Sequence, residues 1–150
     1  MATATATAAA TVLATCMSLT ACAAADQTGT PAHRLKVWES GTGYRAAVKA
    51  VEADVSRIKA ARGASASPAV VKFDCATLGQ EVNKDYTNLP TPDHALSTDL
   101  SNADVAFFNY VTSCVNHNGA PATMVAINHY LTAGSQAIAA AVARSKVVLG

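Results

Sequence analysis

The chain has 150 residues, a formal net charge of +1, and 51% hydrophobic but only 5% aromatic residues. This length suffices for one domain with a single hydrophobic core, and the dominance of Ala among the apolar residues favours helices over strands. Lys and Arg are interleaved with Asp and Glu rather than concentrated. The basic patch typical of a nucleic-acid-binding protein is therefore missing from the sequence, and no nucleic-acid partner is expected.

An export signal is predicted at the N-terminus. Residues 1–25 contain no Asp, Glu, Lys or Arg, and residues 8–19 form a modestly apolar stretch followed by small side chains. This arrangement is typical of a secretory signal, although the basic residue that usually precedes such a stretch is missing. Because the stretch is largely Ala and Thr, it is too weakly hydrophobic for a permanent transmembrane helix. We therefore predict a signal peptide over residues 1–21.

A candidate lipidation site follows. Residues 19–22 read Leu-Thr-Ala-Cys, which resembles the bacterial lipobox, where a diacylglycerol is attached to the Cys thiol and cleavage makes this Cys the first residue. We predict a lipidated Cys22, a tether over residues 22–42, and a protein anchored outside the cytoplasm to the plasma membrane by its acyl chains. The alternative is a secreted protein, because cleavage after the three Ala residues at 23–25 would remove Cys22.

The predicted tether contains one Trp, at position 38, and has no sustained apolar period. A fully exposed Trp would leave a large apolar area in water. Trp38 is therefore expected to dock against the end of the folded domain rather than to serve as a ligand-stacking platform.

Beyond the tether, four segments repeat apolar residues every three or four positions, as on one face of an amphipathic helix. The first helix is expected to run from Tyr44 to near Gly63. The second follows Ser67, which can cap it, has Pro68 in its first position and ends near Tyr86. The predicted core positions are Tyr44, Val48, Val51, Val55 and Ile58 in the first helix and Val71, Cys75, Leu78 and Val82 in the second.

The third helix is predicted to have Thr91 as its cap and Pro92 in its first position, and to stop at residues 116–119. The fourth begins at Pro121, and its Gly134 is expected to allow close backbone approach without large side chains in the interface. The predicted core positions are Leu96, Leu100, Ala103, Phe107, Tyr110 or Val111, and Cys114 in the third helix, and Met124, Ile127, Leu131, Gly134, Ile138, Ala141, Ser145 and Val148 in the fourth.

These segments predict an all-α fold, since no stretch of the sequence alternates like a strand. The links between the helices are short, which forces neighbouring helices to run in opposite directions. We therefore predict an antiparallel up-down-up-down four-helix bundle over residues 43–150, preceded by the signal peptide and the tether.

The four cysteines point to one disulfide. Cys16 would leave with the signal peptide and Cys22 would be lipidated or removed, so that Cys75 and Cys114 remain as a pair in an oxidising compartment. A bond between them would close a loop of about 40 residues and stabilise the fold by roughly 4 kcal/mol. In a level hairpin the two cysteines would be about 16 Å apart, so the link must shift the third helix along the second. The alternative is two separately buried free thiols.

The chain resembles a group of small Ala-rich lipoproteins and secreted proteins of high-GC Gram-positive, actinobacterial-type bacteria. The resemblance covers most of residues 19–150. Besides the lipobox it rests on Trp38, Gly41 and Gly43 before the first helix, Cys75, the Pro-x-Pro-Asp turn at 90–93, and Cys114. It implies a helical bundle at the cell envelope. The group has no assigned activity, so no catalytic residue is carried over.

The sequence lacks the common signatures of catalytic, metal and cofactor sites. It contains no Glu-x-x-His, His-Glu-x-x-His, Cys-x-x-Cys-His or Gly-x-Ser-x-Gly motif and no phosphate-binding Gly-rich loop with Lys. We therefore predict no catalytic residue, no metal and no cofactor. An alternative is a bundle that binds a small ligand, either an apolar molecule or a haem held by His117 or His129 with Met124.

The first predicted helix carries five basic residues that could meet anionic lipid or a cell-wall polymer. They are Arg45, Lys49, Arg57, Lys59 and Arg62. Because Glu52 and Asp54 lie among them, a solvated face of balanced charge is the favoured interpretation. The sequence as a whole predicts a non-enzymatic interaction or scaffold module at the cell envelope, whose partner would be an envelope protein or polymer.

Overall fold

A computed structural model describes residues 29–63, 67–86, 89–116 and 121–150. Across these ranges the chain is helical and contains no strand, which confirms the predicted all-α class. The five helices found there are α1 (Pro31–Thr42), α2 (Tyr44–Gly63), α3 (Pro68–Tyr86), α4 (His94–Val115) and α5 (Pro121–Leu149). The predicted signal peptide over 1–21 and the predicted lipidation site at Cys22 lie outside the described residues.

Helix α1 corrects the prediction of a tether over residues 22–42, because Pro31–Thr42 is helical and packs against the bundle. The sequence pattern concealed this helix, since its two buried residues are Leu35 and the charged Glu39. Trp38 is partly buried against the core, with its ring centroid 5.2 Å from that of Tyr44. The predicted docking of Trp38 is therefore confirmed, although a helix rather than a tether carries it.

Both ends of α1 are set by local sequence. The Thr30 hydroxyl accepts a hydrogen bond from the His33 backbone N–H at 3.2 Å, and Pro31 occupies the first turn, where its missing N–H costs nothing. At the other end Gly43 adopts a left-handed conformation with φ of 69°. Glycine takes this conformation without a steric penalty, so the chain can stop α1 and begin α2 at the next residue.

The predicted stripes of α2 to α5 form one core, against which the predicted core positions Val71, Met124 and Val148 are only partly buried. The bounds of α2, α3 and the start of α5 agree with those predicted, and Tyr110 rather than Val111 is the fully buried alternative in α4. Buried core residues are Leu35, Tyr44, Val48, Val51, Val55, Ile58, Cys75, Leu78, Val82, Leu96, Leu100, Ala103, Phe107, Tyr110, Cys114, Ile127, Leu131, Ile138 and Ala141. The helical spacing of apolar residues thus translates directly into burial.

Helix α4 begins two residues later than predicted. Its cap is Asp93, whose carboxylate accepts a hydrogen bond from the Leu96 N–H at 2.8 Å, whereas Thr91 donates to the Asp93 carbonyl. Arg144 of α5 donates to both carboxylate oxygens of Asp93, at 3.0 and 2.8 Å. This hydrogen-bonded guanidinium lowers the pKa of Asp93. The negative charge also suits the positive end of the helix, which explains why Asp93 displaces Thr91 as the cap.

The α4–α5 interface contradicts the prediction of an interface without large side chains. The Phe107 ring of α4 is fully buried and lies directly over Gly134 of α5, where an added Cβ would be 2.6 Å from the ring. The glycine therefore makes room for an aromatic ring, and does not simply let two backbones approach.

The predicted disulfide between Cys75 and Cys114 is confirmed. It joins α3 to α4 with a Cα–Cα distance of 6.3 Å, and both cysteines are buried. The Tyr110 hydroxyl lies 3.2 Å from the Cys75 Sγ. Cys75 lies 11 residues before the end of α3 and Cys114 lies next to the end of α4, so the bond requires α4 to be displaced along α3 relative to a level hairpin.

Candidate functional site

Charge is distributed unevenly between the two halves of the domain. Residues 105–143 contain no Asp, Glu, Lys or Arg, whereas α1, α2 and α3 all carry several of them. The uncharged run covers the second half of α4 and most of α5. The two acidic residues within α4, Asp99 and Asp104, are half-buried and buried, respectively. The exposed surface of α4 is consequently neutral over the whole length of the helix.

The exposed side chains of α4 form a continuous strip that we call the α4 face. Three of them are large apolar side chains: Phe108 is 65% exposed, Val105 58% and Val115 39%. Single exposed apolar residues are common on soluble proteins, but several on one uncharged helix face are typical of an interaction surface. The members of the α4 face are His94, Ala95, Thr98, Asn102, Val105, Phe108, Thr112, Val115 and Asn116.

An open groove of about 360 Å³ runs beside the α4 face, between α3 and α4. Its lining is mostly apolar and consists of Gly79, Val82, Asn83, Asp104, Val105, Phe108, Val111 and Thr112. Gly79 lets Val111 of α4 pack closely against α3, because a Cβ at this position would lie 3.0 Å from the Val111 Cγ1. We call this feature the α3–α4 groove.

The disulfide holds the two walls of the α3–α4 groove together. Gly79 lies one turn after Cys75, and Val111 lies about one turn before Cys114. The covalent bond therefore fixes the separation of α3 and α4 next to the groove. Burial raises the pKa of the neighbouring Tyr110 to about 12, so its hydroxyl stays protonated and can donate to the Cys75 sulfur.

Comparisons of the chain with protein-family models, with curated proteins and with solved structures give no match. Any function must therefore be inferred from the residues of the chain itself, and the α4 face with the α3–α4 groove is the feature that stands out.

The histidines do not form a ligand set within the described chain. His33, His94 and His129 are exposed, and His117 lies outside the described residues. Met124 is half-buried against the core, whereas His129 is on the exposed side of the same helix. The structure thus does not bring the proposed haem ligands His129 and Met124 together. Among the described residues, no group of three or more His, Cys, Asp or Glu side chains is arranged to hold a metal ion.

Four of the five basic residues of α2, namely Arg45, Lys49, Arg57 and Lys59, are exposed, and ion pairs engage two of them. Arg57 donates to Asp54, which is buried rather than solvated, and the Arg45 Nε lies 2.8 Å from a carboxylate oxygen of Glu39 in α1. Arg62 places its guanidinium 5.4 Å from the centroid of the Tyr110 ring, within the range of a cation–π interaction. The predicted solvated face of balanced charge on α2 therefore agrees with the exposed basic residues, but its Asp54 is buried rather than solvated.

Helix α5 is 29 residues long and uncharged as far as Arg144. In the described part of the chain, neither this helix nor another combines the length and hydropathy needed to cross a membrane.

Sequence reasoning missed Phe108, Val105 and Gly79 as members of a surface site. The apolar spacing of α4 predicts Phe107 in the core and gives no role to its neighbour Phe108. The signal that could have identified the surface is the uncharged run over residues 105–143, because an exposed helix face normally carries charged side chains.

Proposed function

We propose that this protein is a non-enzymatic interaction or scaffold module, exported and anchored to the plasma membrane through a lipidated Cys22. Support for export comes from the uncharged N-terminal segment and from the lipobox-like residues 19–22. Support for an interaction role comes chiefly from one observation, an exposed α4 face that has no charged side chain and presents Phe108 beside a groove. The cores of protein interfaces are depleted in charged residues and enriched in aromatic ones.

The proposed module is an up-down-up-down bundle to which α1 is added at one end. Cys75 bonds to Cys114, and one turn later Gly79 faces Val111, so these contacts favour opposite directions for α3 and α4. For α4 and α5, the pairing of Phe107 with Gly134 and that of Asp93 with Arg144 favour the same arrangement. In this arrangement the disulfide lies one turn from Gly79 and Val111 of the α3–α4 groove, and the groove adjoins the α4 face.

A labelling experiment tests the proposed anchor. A fatty-acid analogue fed to cells that produce the protein should label the wild-type chain, and the Cys22→Ala variant should lose both the label and the membrane fraction. A mature chain that begins at Asp26 and carries no label would contradict the proposal and favour secretion.

A photo-crosslinking experiment tests the proposed interaction surface. A photoreactive amino acid at position 108 should capture a partner in intact envelopes, whereas the same amino acid at Val147, which is 73% exposed on α5, should not. Equal capture at the two positions, or none at position 108, would contradict the proposed role of the α4 face.

Binding of a small apolar molecule is a second candidate function, which the α3–α4 groove favours. Its volume of about 360 Å³ lies in the range of ligand pockets, and polar groups from Asn83, Asp104 and Thr112 accompany its apolar lining. An environment-sensitive apolar dye should then bind to the purified protein, and Gly79→Val should abolish this binding. Dye binding that is unchanged by Gly79→Val would exclude the groove as the site.

A further inference from the structure

We infer that a cleft between α2 and α5 binds a single-chain amphiphile with an anionic head group, of the class of a long-chain fatty acid. The cleft shares no lining residue with the α3–α4 groove or the α4 face. The inference therefore goes beyond the proposed interaction role and does not depend on it.

The seam between α2 and α5 is less tightly closed than the other seams of the bundle. Helix α2 packs mainly against α3, and α5 mainly against α4, whereas α2 and α5 contact each other at few points. Two depressions of about 380 and 230 Å³ open along this seam, and Glu52 lines both of them. Because they adjoin at Glu52, we treat them as one feature and call it the α2–α5 cleft.

The floor of the α2–α5 cleft is apolar. Three helices contribute to it, with Val48, Val51 and Val55 from α2, Phe107 from α4, and Ile138 and Val142 from α5. All of these side chains are buried except Val142, which is half-buried. A hydrocarbon chain that lies on this floor would remove its methylene groups from water, which is favourable.

The rim of the cleft carries an excess of positive charge. Three exposed lysines line it, Lys49 and Lys59 from α2 and Lys146 from α5. None of their side chains forms an ion pair with a residue of the described ranges. Glu52 is the exposed acidic residue among them. Three cations therefore face one anion along this rim.

Glu39 of α1 lines one end of the cleft but does not cancel this excess. Its buried carboxylate accepts hydrogen bonds from the Ser145 hydroxyl and from the Arg45 Nε, so Glu39 and Arg45 are neutral as a pair. Lys49 and Lys146 line the same end, one from each wall, and are left to receive an anionic group. Charge complementarity thus favours an anionic head over a cationic or neutral one at this end.

The length of the cleft suits one acyl chain. The lining residues extend from Val48 to Lys59 along α2 and from Ser135 to Lys146 along α5, which is about 16 Å of each helix. A bilayer core of about 30 Å holds two layers of acyl chains, so a single chain has a similar length. With its head between Lys49 and Lys146, the chain would run over the apolar floor toward Ser135.

A fluorescent fatty acid tests the inference on the full chain carrying Cys22→Ala, since this substitution removes acyl chains that could compete. A dansyl-labelled undecanoic acid should bind at micromolar concentrations, with a rise in emission as the probe leaves water. Laurate should displace it, and lauryl alcohol, which has the same chain without the charge, should be at least about tenfold less effective. Equal displacement by both compounds, or displacement by inorganic phosphate at the concentration of laurate that suffices, would overturn the inference.

Substitution of the two lysines at the proposed head site tests the role of charge. The double variant Lys49→Gln with Lys146→Gln should bind laurate at least about tenfold more weakly. The matched control is Lys36→Gln with Lys72→Gln, which removes two exposed lysines outside the cleft and should leave the affinity unchanged. Equal losses in the two double variants, or no loss in the first, would contradict the proposed head site.

A steric block tests the location of the chain. Ser56 is exposed and lines the cleft, so Ser56→Trp should fill it with an indole and abolish binding of the fluorescent probe. Thr98→Trp on α4 is the matched control, because both hydroxyls are exposed and donate to the carbonyl one turn earlier. Circular dichroism should give the same helix content for both variants. Binding that survives Ser56→Trp would place the ligand elsewhere, for example in the α3–α4 groove, and would overturn the inference.

Discussion

The α4–α5 pair and the α2–α3 pair belong to one bundle but are held together by different means. Phe107 of α4 fills the space over Gly134 of α5, in a stretch of chain that carries no charged side chain. Between α2 and α3, in contrast, the carboxylates of Asp54 and Asp74 are both buried. Shape complementarity stabilises the first pair, whereas the second combines packing with electrostatic strain. The contact between Phe107 and Gly134 is therefore expected to be independent of pH, whereas the packing around Asp54 depends on it.

Asp54 of α2 is a buried carboxyl whose charged form is electrostatically unfavourable. Burial raises the pKa of this carboxyl and outweighs Arg57, which lowers it, while Glu81 and Asp74 raise it further. One carboxylate oxygen of Asp54 is buried and has no hydrogen-bond partner within the described chain. A buried carboxylate with incomplete hydrogen bonding is destabilising in its charged form. The pair is therefore expected to lose stability where Asp54 ionises.

The largest effect is expected from Phe107→Ala, which would break the packing of the α4–α5 pair. Removal of a fully buried Phe costs about 3 to 5 kcal/mol, because it loses burial and leaves a cavity. Chemical denaturation followed by circular dichroism measures this loss. The adjacent Phe108→Ala is the matched control and should change the unfolding free energy by less than about 0.5 kcal/mol. Similar losses for the two variants would contradict the contrast between a buried and an exposed ring.

Removal of the disulfide should weaken the link between the α2–α3 pair and the α4–α5 pair. The bond links α3 to α4 across 39 residues of sequence, and its loss should cost about 2 to 4 kcal/mol without abolishing helicity. The double variant Cys75→Ser with Cys114→Ser, compared with the oxidised protein by denaturation and circular dichroism, measures the effect. A variant of unchanged stability would show that packing alone holds the two helices in register.

Substitution of Asp93 tests how charge contributes to the start of α4, where Asp93 pairs with Arg144 of α5. Asp93→Ala removes the cap of α4 and the ion pair with Arg144, and should cost about 0.5 to 2 kcal/mol near neutral pH. Because the folded-state pKa of Asp93 is lowered, this contribution is complete above the ordinary carboxyl range and lost as the pH falls through the lowered pKa. The difference between wild type and variant should therefore shrink below about pH 4.

The control for this prediction is Arg144→Gln, which keeps the cap and removes only the guanidinium. It should lose less stability than Asp93→Ala does. An equal loss for both variants would show that the ion pair rather than the cap stabilises the start of α4.

The smallest effect, and one of opposite sign, is expected from Asp54→Asn in the α2–α3 pair. The pKa of Asp54 is raised in the folded state, so its contribution to stability is complete below the ordinary carboxyl pKa and lost as the pH rises through the raised value. Relative to wild type, Asp54→Asn should therefore gain stability between about pH 3 and pH 7. Denaturation curves at both pH values measure the change. The exposed Glu52→Gln should show no such trend, and an equal trend in both variants would contradict the assignment to Asp54.

Much of the fold could be predicted because its signals are local. The ends of α2 and α3 follow from Gly63 and from the Ser67-Pro68 pair, and the disulfide follows from cysteine parity. The start of α4 was predicted two residues early, since both Thr91 and Asp93 can cap a helix, and the bond that Arg144 adds to Asp93 comes from far along the chain. Helix α1 was missed for a related reason, because the buried Glu39 gains its partner Ser145 only in the folded bundle.

The sequence by itself determined that this protein is helical and which stripe of each helix is buried, because the helical period depends only on the spacing of apolar residues along the chain. The tertiary structure decided which side chains contact one another and which of the others stay exposed. It placed the Phe107 ring over Gly134, buried Asp54 beside Asp74, and left Phe108 exposed next to a groove that Gly79 lines. These outcomes depend on which helices are neighbours and at what register, and that information resides in contacts between distant residues rather than in a local pattern.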